Sequence, residues 1–185
     1  MRRLIATMVV AVAGSTLAGC VGGGGPTPSP SPVVTPTPVV SPSPTWNDKQ
    51  HGALDAVYRY LEVSNDIEQH LTEADWNRIR EVAMDPAAGD AFRVWNRWKS
   101  EGWHVDGTPM FEPDYVNLGM MDKEGDRYHV HGCYDITGTH LVDANGNRQE
   151  GERVAERYFV RYVVLLRSTD RKYLVMEDIN EEETC

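Results

Sequence analysis

Apolar residues just after position 50 recur at intervals of three and four, which is the period of an amphipathic helix. The positions that carry this pattern are Leu54, Val57, Tyr58 and Leu61. We therefore predict a helix over residues 48–65, with this row of side chains on the face that packs against the core.

Two further helical segments follow. The first is predicted to begin at Thr72, a good N-cap residue with Asp75 in the first turn, and to stop at Pro86, which lacks a backbone donor. Its apolar positions are Trp76, Ile79, Val82 and Ala83. The second segment carries its apolar stripe at Ala91, Val94, Trp95 and Trp98. It is predicted to end at Gly102, because glycine readily adopts the left-handed conformation of a C-cap.

Beyond about residue 105 the pattern changes to the alternation that is typical of strands. Strands are predicted over residues 107–121, 127–141, 153–167 and 171–179. Asn145-Gly146, between the second and third of these, is typical of a tight hairpin turn. One face of the third strand carries Val154, Tyr158, Val160, Tyr162, Val164 and Leu166. The predicted fold class is α+β, with about three N-terminal helices packed on one face of a curved antiparallel sheet of about four strands.

The chain begins with a short basic region and a long apolar run. Arg2 and Arg3 precede an apolar stretch from Leu4 to Ala18, which has the length of a signal peptide and is too short to span a bilayer. The stretch ends in Leu17-Ala18-Gly19-Cys20, which resembles the lipobox of bacterial lipoproteins.

The lipobox resemblance implies that residues 1–19 are removed as a signal peptide and that Cys20 carries diacylglycerol. The mature protein is then expected on the extracytoplasmic face of the cell membrane, held there by lipid, since two acyl chains anchor a protein stably. The alternative is an ordinary secretory signal, in which case Cys20 is incidental.

Residues 20–45 are rich in Gly, Pro, Ser and Thr and offer little apolar area for a core of their own. Alternating prolines favour extended polyproline II, which suits a disordered stalk that holds a domain away from the membrane. A role as a ligand for proline-binding domains is the alternative. The predicted organisation is a signal peptide at 1–19, a lipidated stalk at 20–45 and one globular domain at 46–185.

The chain is acidic, with a formal net charge of −10 at pH 7. Such a chain repels the phosphate backbone of nucleic acids at long range, so nucleic acid is not an expected partner. The sequence carries no P-loop, GxGxxG or serine-nucleophile motif, and no cofactor is predicted.

The cysteine count suggests a disulfide. If Cys20 carries lipid, Cys133 and Cys185 remain in a compartment that permits disulfides, and they are the pair favoured to bond. Chain entropy assigns a loop of this length about 4 kcal/mol at most. The alternatives are two free thiols, or a bond from Cys185 to a second chain.

A row of side chains with ligand and acid–base chemistry shares one face of the second predicted strand, namely His129, His131, Cys133 and Asp135. All of these groups suit zinc, but they fan out along about 13 Å of strand and cannot converge on one ion, so no metal site is predicted. Asp135 with His131 or His129 is the candidate catalytic pair if this face lines a pocket. The alternative is a mixed polar face without chemistry.

Several aromatic side chains are candidates for a pocket wall, namely Tyr58, Trp95, Trp98 and Tyr162. At their spacing, a plain core position is the alternative. Arg157, Arg161 and Arg167 alternate with apolar residues in the third strand, which predicts a half-buried face. A partner protein or a second copy of the chain is expected to dock there, so a homodimer through the sheet is a further prediction.

Short motifs occur at Tyr60-Leu61, Gly132-Cys133-Tyr134-Asp135, Val142–Asn147, Tyr173-Leu174-Val175 and the terminal Cys185. In this layout they resemble NTF2-like, or SnoaL-like, domains of lipoproteins and secreted proteins from high-GC Gram-positive bacteria and their phages. The resemblance implies a cone in which helices and a curved sheet enclose a pocket. Enzymes of this superfamily hold an acid–base pair there, whereas other members are binding or assembly modules, so the fold alone does not decide the function.

Two functional hypotheses result. The leading one is a surface lipoprotein without enzymatic activity, whose domain binds a protein or an envelope component. A narrower form of it, implied by the resemblance alone, is a phage- or prophage-encoded factor that excludes superinfecting phage. The alternative is an NTF2-like enzyme that acts on a small apolar substrate in the cone.

Overall fold

A computed structural model describes residues 45–149 and 156–185 of this chain. The predicted signal peptide, Cys20 and the stalk up to Pro44 lie outside the described residues, and so does Val154. The organisation inferred for the N-terminal part therefore stays a prediction.

Helices and antiparallel strands make up the described part of the chain. In chain order they are helix α1 (Asp48–Gln69), a 3₁₀ helix (Trp76–Glu81), helix α2 (Ala87–Glu101), and strands β1 (His104–Asp106), β2 (Met110–Met121), β3 (Gly125–Asp135), β4 (His140–Val142), β5 (Arg157–Arg167) and β6 (Tyr173–Asn180). A four-stranded antiparallel sheet has the order β2-β3-β5-β6, and β1 pairs with β4. The predicted α+β class, with helices on a sheet of about four antiparallel strands, is thus confirmed.

The core lies between the helices and one face of the four-stranded sheet. Helix α1 contributes Ala53, Val57 and Ile67, all fully buried. The sheet contributes Val116, Val130, Val160, Val164 and Val175. This burial is the main driving force of the fold, since apolar surface removed from water stabilises by about 25 cal/mol per Å².

Helix α1 begins with a capping box. The Asn47 side chain accepts a hydrogen bond from the Gln50 backbone N–H, and the Gln50 side chain accepts one from the Asn47 backbone N–H. The helix extends to Gln69 rather than ending at residue 65, because Ile67 continues its buried face. Helix α2 ends at Gly102 as predicted, with a left-handed φ of 72°.

The prediction of the second helix was wrong in both the length and the type of the element. The structure has a short 3₁₀ helix, Trp76–Glu81, that is capped by the Asp75 side chain rather than by Thr72. Ile79 is fully buried and holds this short element against the core.

The residues after the 3₁₀ helix cover an edge of the sheet. The Val82 carbonyl accepts a hydrogen bond from the Val175 N–H of β6, and the Met84 N–H donates to the Val175 carbonyl. Unpaired groups on a strand edge are a liability, so covering this edge outweighs the local helical period of the sequence.

The long strand predicted over 127–141 is two separate strands. β3 ends at Asp135, whose carboxylate accepts a hydrogen bond from the Thr137 N–H and turns the chain. β4 then pairs with β1 outside the main sheet. Gly107, with φ of +98°, makes the bend after β1, and β2 therefore begins at Met110 rather than at residue 107.

Strand β5 confirms the predicted alternation. Tyr158 is half-buried on the helix-covered face, where the fully buried residues are Val160, Tyr162, Val164 and Leu166. The opposite face is more buried than predicted, since Val163 and Leu165 are 6% and 2% exposed. The reason lies in the register, which places the long side chains of His129 and Arg127 directly beside them on β3.

Candidate functional site

A cavity of about 930 Å³ lies between α2, the β1–β4 pair and the helix-covered face of the sheet. Its wall is largely apolar and aromatic and includes Val94, Trp98, Trp103, Val105, Pro109, Tyr134, Ile136, Leu141 and Tyr158. A neighbouring cavity of about 220 Å³ shares Glu68, Val94, Tyr134 and Asp178 with it. These shared residues are the centre of the candidate site.

Glu68 enters the site from the last turn of α1. One of its carboxylate oxygens accepts a hydrogen bond of 3.1 Å from the Trp95 indole N–H. Burial raises the pKa of Glu68 from 4.5 to about 7, the Trp95 hydrogen bond opposes this rise, and the nearby Asp178 carboxylate adds to it. Glu68 therefore exchanges its proton near neutral pH.

Asp178 enters the site from β6. The Tyr60 hydroxyl lies 3.5 Å from one of its oxygens, at the long limit of a hydrogen bond. Many protein atoms lie around the Asp178 carboxyl, yet the residue is exposed because its side chain lines the cavity, where solvent reaches it. Burial raises the pKa of Asp178 to about 6, against the effect of the Tyr60 contact.

Tyrosines surround these two carboxylates. Burial raises the pKa of Tyr158 to about 12, and it raises those of Tyr60 and Tyr134 further. The hydroxyls therefore stay protonated at physiological pH and act as neutral hydrogen-bonding groups. The site combines ionisable carboxylates, neutral phenols and indoles with an apolar wall.

The predicted pocket residues divide into two groups. Trp98 lines the larger cavity and Trp95 lines the smaller one. Tyr162 is 1% exposed and belongs to the core, which is the alternative that the sequence left open. Tyr58 is 42% exposed and lines a separate surface depression beside Asp55, away from both cavities.

The row formed by His129, His131, Cys133 and Asp135 lies on the sheet face opposite to the cavity, because the residues between them face the helices. The His131 ring stacks on Tyr115 with centroids 4.2 Å apart, and Asp135 pairs with Arg157 at 3.5 Å. The candidate pair of Asp135 with His131 or His129 thus belongs to a mixed polar face, which was the alternative reading of this strand.

Burial lowers the pKa of both His129 and His131, which favours the neutral form of each imidazole. Within residues 45–149 and 156–185, no group of three or more His, Cys, Asp or Glu side chains is arranged to hold a metal ion.

Cys133 and Cys185 form an intramolecular disulfide with Cα atoms 5.9 Å apart. The bond holds the C-terminal tail beside β5, where the Phe159 N–H donates to the Glu183 carbonyl and the Glu181 N–H donates to the Phe159 carbonyl. The tail therefore extends the pairing of β6 with β5 as far as Glu183.

Sequence reasoning missed both carboxylates of the site. Glu68 lies beyond the predicted end of the first helix at residue 65, so it was assigned to no face. Asp178 alternates with Leu174 and Met176, which places it on the outer face of a regular strand.

A β-bulge reverses that assignment. The register between β5 and β6 shifts between Val163 and Val164, which leaves Met176 as an extra residue in β6. Asp178 consequently lies opposite Tyr162 and shares its helix-covered face. Nothing in the local sequence announces this bulge.

The chain matches no protein-family model and no curated protein. Among solved structures it resembles the intermembrane space region of the chloroplast protein ARC6, with a TM-score of 0.55 and 15% identity over 74% of this chain and 98% of that one. It also matches TraH from the Gram-positive conjugative plasmid pIP501, with a TM-score of 0.39 and 11% identity over 73% and 95% of the two chains. The likeness to the ARC6 region defines this domain as an α+β fold of helices on an antiparallel sheet and carries no function.

Of the helices that the structure describes, none combines the length and the apolar composition needed to cross a membrane.

Proposed function

We propose that this protein is a lipid-anchored lipoprotein of the extracytoplasmic membrane face, whose NTF2-like domain binds a protein or envelope component in the cavity beneath α2. The lipobox Leu17-Ala18-Gly19-Cys20 supports the anchor. A sheet covered on one face by helices, with a large cavity left between the two layers, supports the cone.

The observation that carries the binding function is the cavity itself. Its volume of about 930 Å³ falls within the range of roughly 300–1,000 Å³ that is usual for ligand sites. Such sites have mainly apolar and aromatic walls with a few converging polar groups. Here Trp98, Tyr134 and Tyr158 belong to the wall, and Glu68 and Asp178 are the converging groups.

A narrower form of the proposal is that the protein is encoded by a phage or prophage and excludes superinfecting phage. It rests on the resemblance of the short motifs alone. The test is phage infection of cells that express the wild-type protein or its Cys20→Ala variant. Plaque numbers that are no lower in the cells with the wild-type protein contradict the proposal.

An NTF2-like enzyme acting on a small apolar substrate is the second proposal, and one observation favours it. A carboxyl whose pKa is raised to about 7 is well placed to exchange protons at neutral pH, and Glu68 has this property inside the cavity. In this version Glu68 replaces Asp135 and the histidines as the candidate acid–base group. An enzyme is expected to convert a component that it binds and to lose this turnover in the Glu68→Gln variant, whereas a binding module leaves the component unchanged.

Self-association through the sheet is a further part of the proposal. Strand β2 lies at the edge of the sheet and exposes Met110, Tyr115, Leu118, Met120 and Met121. An apolar edge of this kind favours association, although register shifts in its pairing with β3 limit strand-to-strand pairing. If light scattering gives the molecular mass of a monomer at every protein concentration, the proposed self-association is contradicted.

The anchor is tested by metabolic labelling with radioactive fatty acid and by membrane fractionation. The wild type is expected to carry label and to sediment with membranes, whereas Cys20→Ala is expected to lose both properties. Absence of label together with membrane-bound Cys20→Ala contradicts the anchor.

Binding in the cavity is tested with Val94→Trp, which places an indole at a cavity-lining position of α2 that is 39% exposed. Asn96→Trp, at an exposed position of the same helix that lines neither cavity, is the matched control. Envelope extract is expected to change the tryptophan fluorescence of the wild type and of Asn96→Trp, but not that of Val94→Trp. Equal responses of the two variants contradict the proposal. The double variant Asp135→Ala, His131→Ala is expected to bind normally, since both residues lie on the other sheet face.

A further inference from the structure

The larger cavity is lined by three carboxylates, those of Glu68, Glu101 and Asp178, and by one cationic side chain, Arg97. We infer that the ligand of this cavity ends in an organic cation, an alkylammonium group, that lies between Glu68 and Asp178 with its apolar part along the aromatic wall. This inference rests on the cavity being the binding site proposed above.

The donors that reach these carboxylates are neutral groups. Glu68 receives the Trp95 indole N–H at 3.1 Å, and Asp178 lies 3.5 Å from the Tyr60 hydroxyl. Among the ion pairs formed within residues 45–149 and 156–185, none includes Glu68 or Asp178. The Asp178 carboxylate raises the pKa of Glu68, and acidic groups that share a site without a paired cation favour a ligand that supplies one.

A third acceptor lies beside the carboxylates. The Asn65 side-chain oxygen is buried and has no hydrogen-bond donor among the described residues, and Asn65 lines the smaller cavity together with Glu68 and Asp178. Buried polar atoms in folded proteins are nearly always paired, so an orphan acceptor points to a missing donor. A primary ammonium group supplies three N–H donors for the carboxylate and Asn65 oxygens. The Trp98 indole N–H and the Ser64 hydroxyl, which are also buried without a partner among the described residues and line the larger and the smaller cavity, are left for a polar group elsewhere in the ligand.

The aromatic wall strengthens the preference for a cation. Tyr134 and Tyr158 pack edge to face with ring centroids 5.7 Å apart, and both line the larger cavity. Aromatic faces attract ammonium groups through the ring quadrupole, and this attraction grows when water is displaced.

The remainder of the cavity selects an organic cation over a metal ion. Val105, Ile136 and Leu141 offer apolar surface to a hydrocarbon chain, whereas a hard cation needs six or more oxygen ligands. Arg97 and Glu101, which carry opposite charges, line the same cavity from the end of α2. Both side chains belong to exposed residues, whereas Glu68 is half-buried.

The test is a titration of the full chain at pH 8, followed by tryptophan fluorescence, with three probes that share one hydrocarbon chain. These are n-hexylammonium, n-hexanol and n-hexanoate. Hexylammonium is expected to bind roughly tenfold more tightly than hexanol, with hexanoate the weakest. Equal binding of hexylammonium and hexanol, or tightest binding of hexanoate, overturns the inference.

Variants separate this inference from the proposed function. The double variant Glu68→Gln, Asp178→Asn is expected to bind hexylammonium no better than hexanol, while hexanol binds as it does to the wild type. Glu62→Gln, an exposed carboxylate on α1, is the control and is expected to keep the full preference. Val94→Trp is expected to weaken all three probes, with circular dichroism verifying the fold of each variant. If Val94→Trp weakens binding of the probes but the wild type binds all three equally well, only the cation inference fails. If no probe binds, or if Val94→Trp binds all of them normally, the cavity is no binding site and the proposed function fails as well.

Discussion

Replacing Glu68 by Gln removes one ionisable group and keeps the shape of the side chain. The amide oxygen of Gln still accepts the hydrogen bond from the Trp95 indole, which is 3.1 Å long in the wild type. Only the charge is lost, so this substitution isolates the effect of placing a carboxylate inside the cavity.

The sign and the size of the effect come from the pKa of Glu68, which burial raises from 4.5 to about 7. Between these two pH values the folded protein keeps a proton that the unfolded chain has released. The free energy of unfolding therefore falls as the pH rises through this window, by at most about 3 kcal/mol. Because water enters the cavity and Asp178 titrates nearby, we expect a fall of about 1–2 kcal/mol from Glu68.

Urea unfolding of the wild type and the variant at pH 4 and pH 8 measures this quantity. Glu68→Gln is expected to match the wild type at pH 4 and to exceed it by about 1–2 kcal/mol at pH 8. Glu62→Gln, exposed on the same helix, controls for loss of an acidic charge and is expected to follow the wild type at both pH values. A Glu68→Gln variant that gains nothing at pH 8 would refute the argument that the protein holds this carboxylate at an energetic cost.

Two further predictions concern the scaffold. Cys185→Ser opens the disulfide to Cys133, whose partners are 52 residues apart in sequence, and is expected to cost about 2–4 kcal/mol, or roughly 6–12 °C in Tm. Reductant should lower the Tm of the wild type by the same amount and leave the variant unchanged, and a wild type insensitive to reductant contradicts the prediction. Gly107→Ala is expected to cost about 1–3 kcal/mol in urea unfolding, because the added Cβ would lie 2.2 Å from the Gly138 carbonyl oxygen at a φ of +98°. Gly102→Ala, also at positive φ but with open space around it, is the control, and equal losses in both variants would show that the close approach to Gly138 has no effect.

The candidate site was only partly predictable from the sequence. Trp95 and Trp98 were candidates for a pocket wall, with a core position as the alternative. Trp98 lines the larger cavity, whereas Trp95 lines the smaller one and is at the same time a core residue, only 1% exposed. Tyr162 has the same aromatic character, but the packing of α1 on the sheet leaves it in the core. The difference between a core aromatic and a cavity aromatic depends on where two layers separate, and no local pattern contains that information.

Several boundaries depend on segments that are distant in sequence. Residues around Val82 and Met84 have a helical period, yet their backbone pairs with Val175 and covers the edge of β6. The strand predicted to run through residue 141 stops at Asp135, because the following segment pairs with β1 instead. In both places a hydrogen-bonding partner far away in the chain outweighs a local preference.

By itself, the sequence determined the α+β class, the helix-covered face of β5 and part of the buried face of α1, where Leu54 and Val57 are buried as predicted but Tyr58 is 42% exposed. These features depend on the spacing of neighbouring residues, because a helix repeats every 3.6 residues and a strand every two. Tertiary structure decided that Glu68 and Asp178 line one cavity. This arrangement needs an extra turn of α1 and a bulge that shifts the register of β6 by one residue, so that Asp178 lies on the helix-covered face. The bulge arises from pairing with β5 and the cavity from the separation of α2 from the sheet, and contacts of that kind join parts of the chain that no local spacing relates.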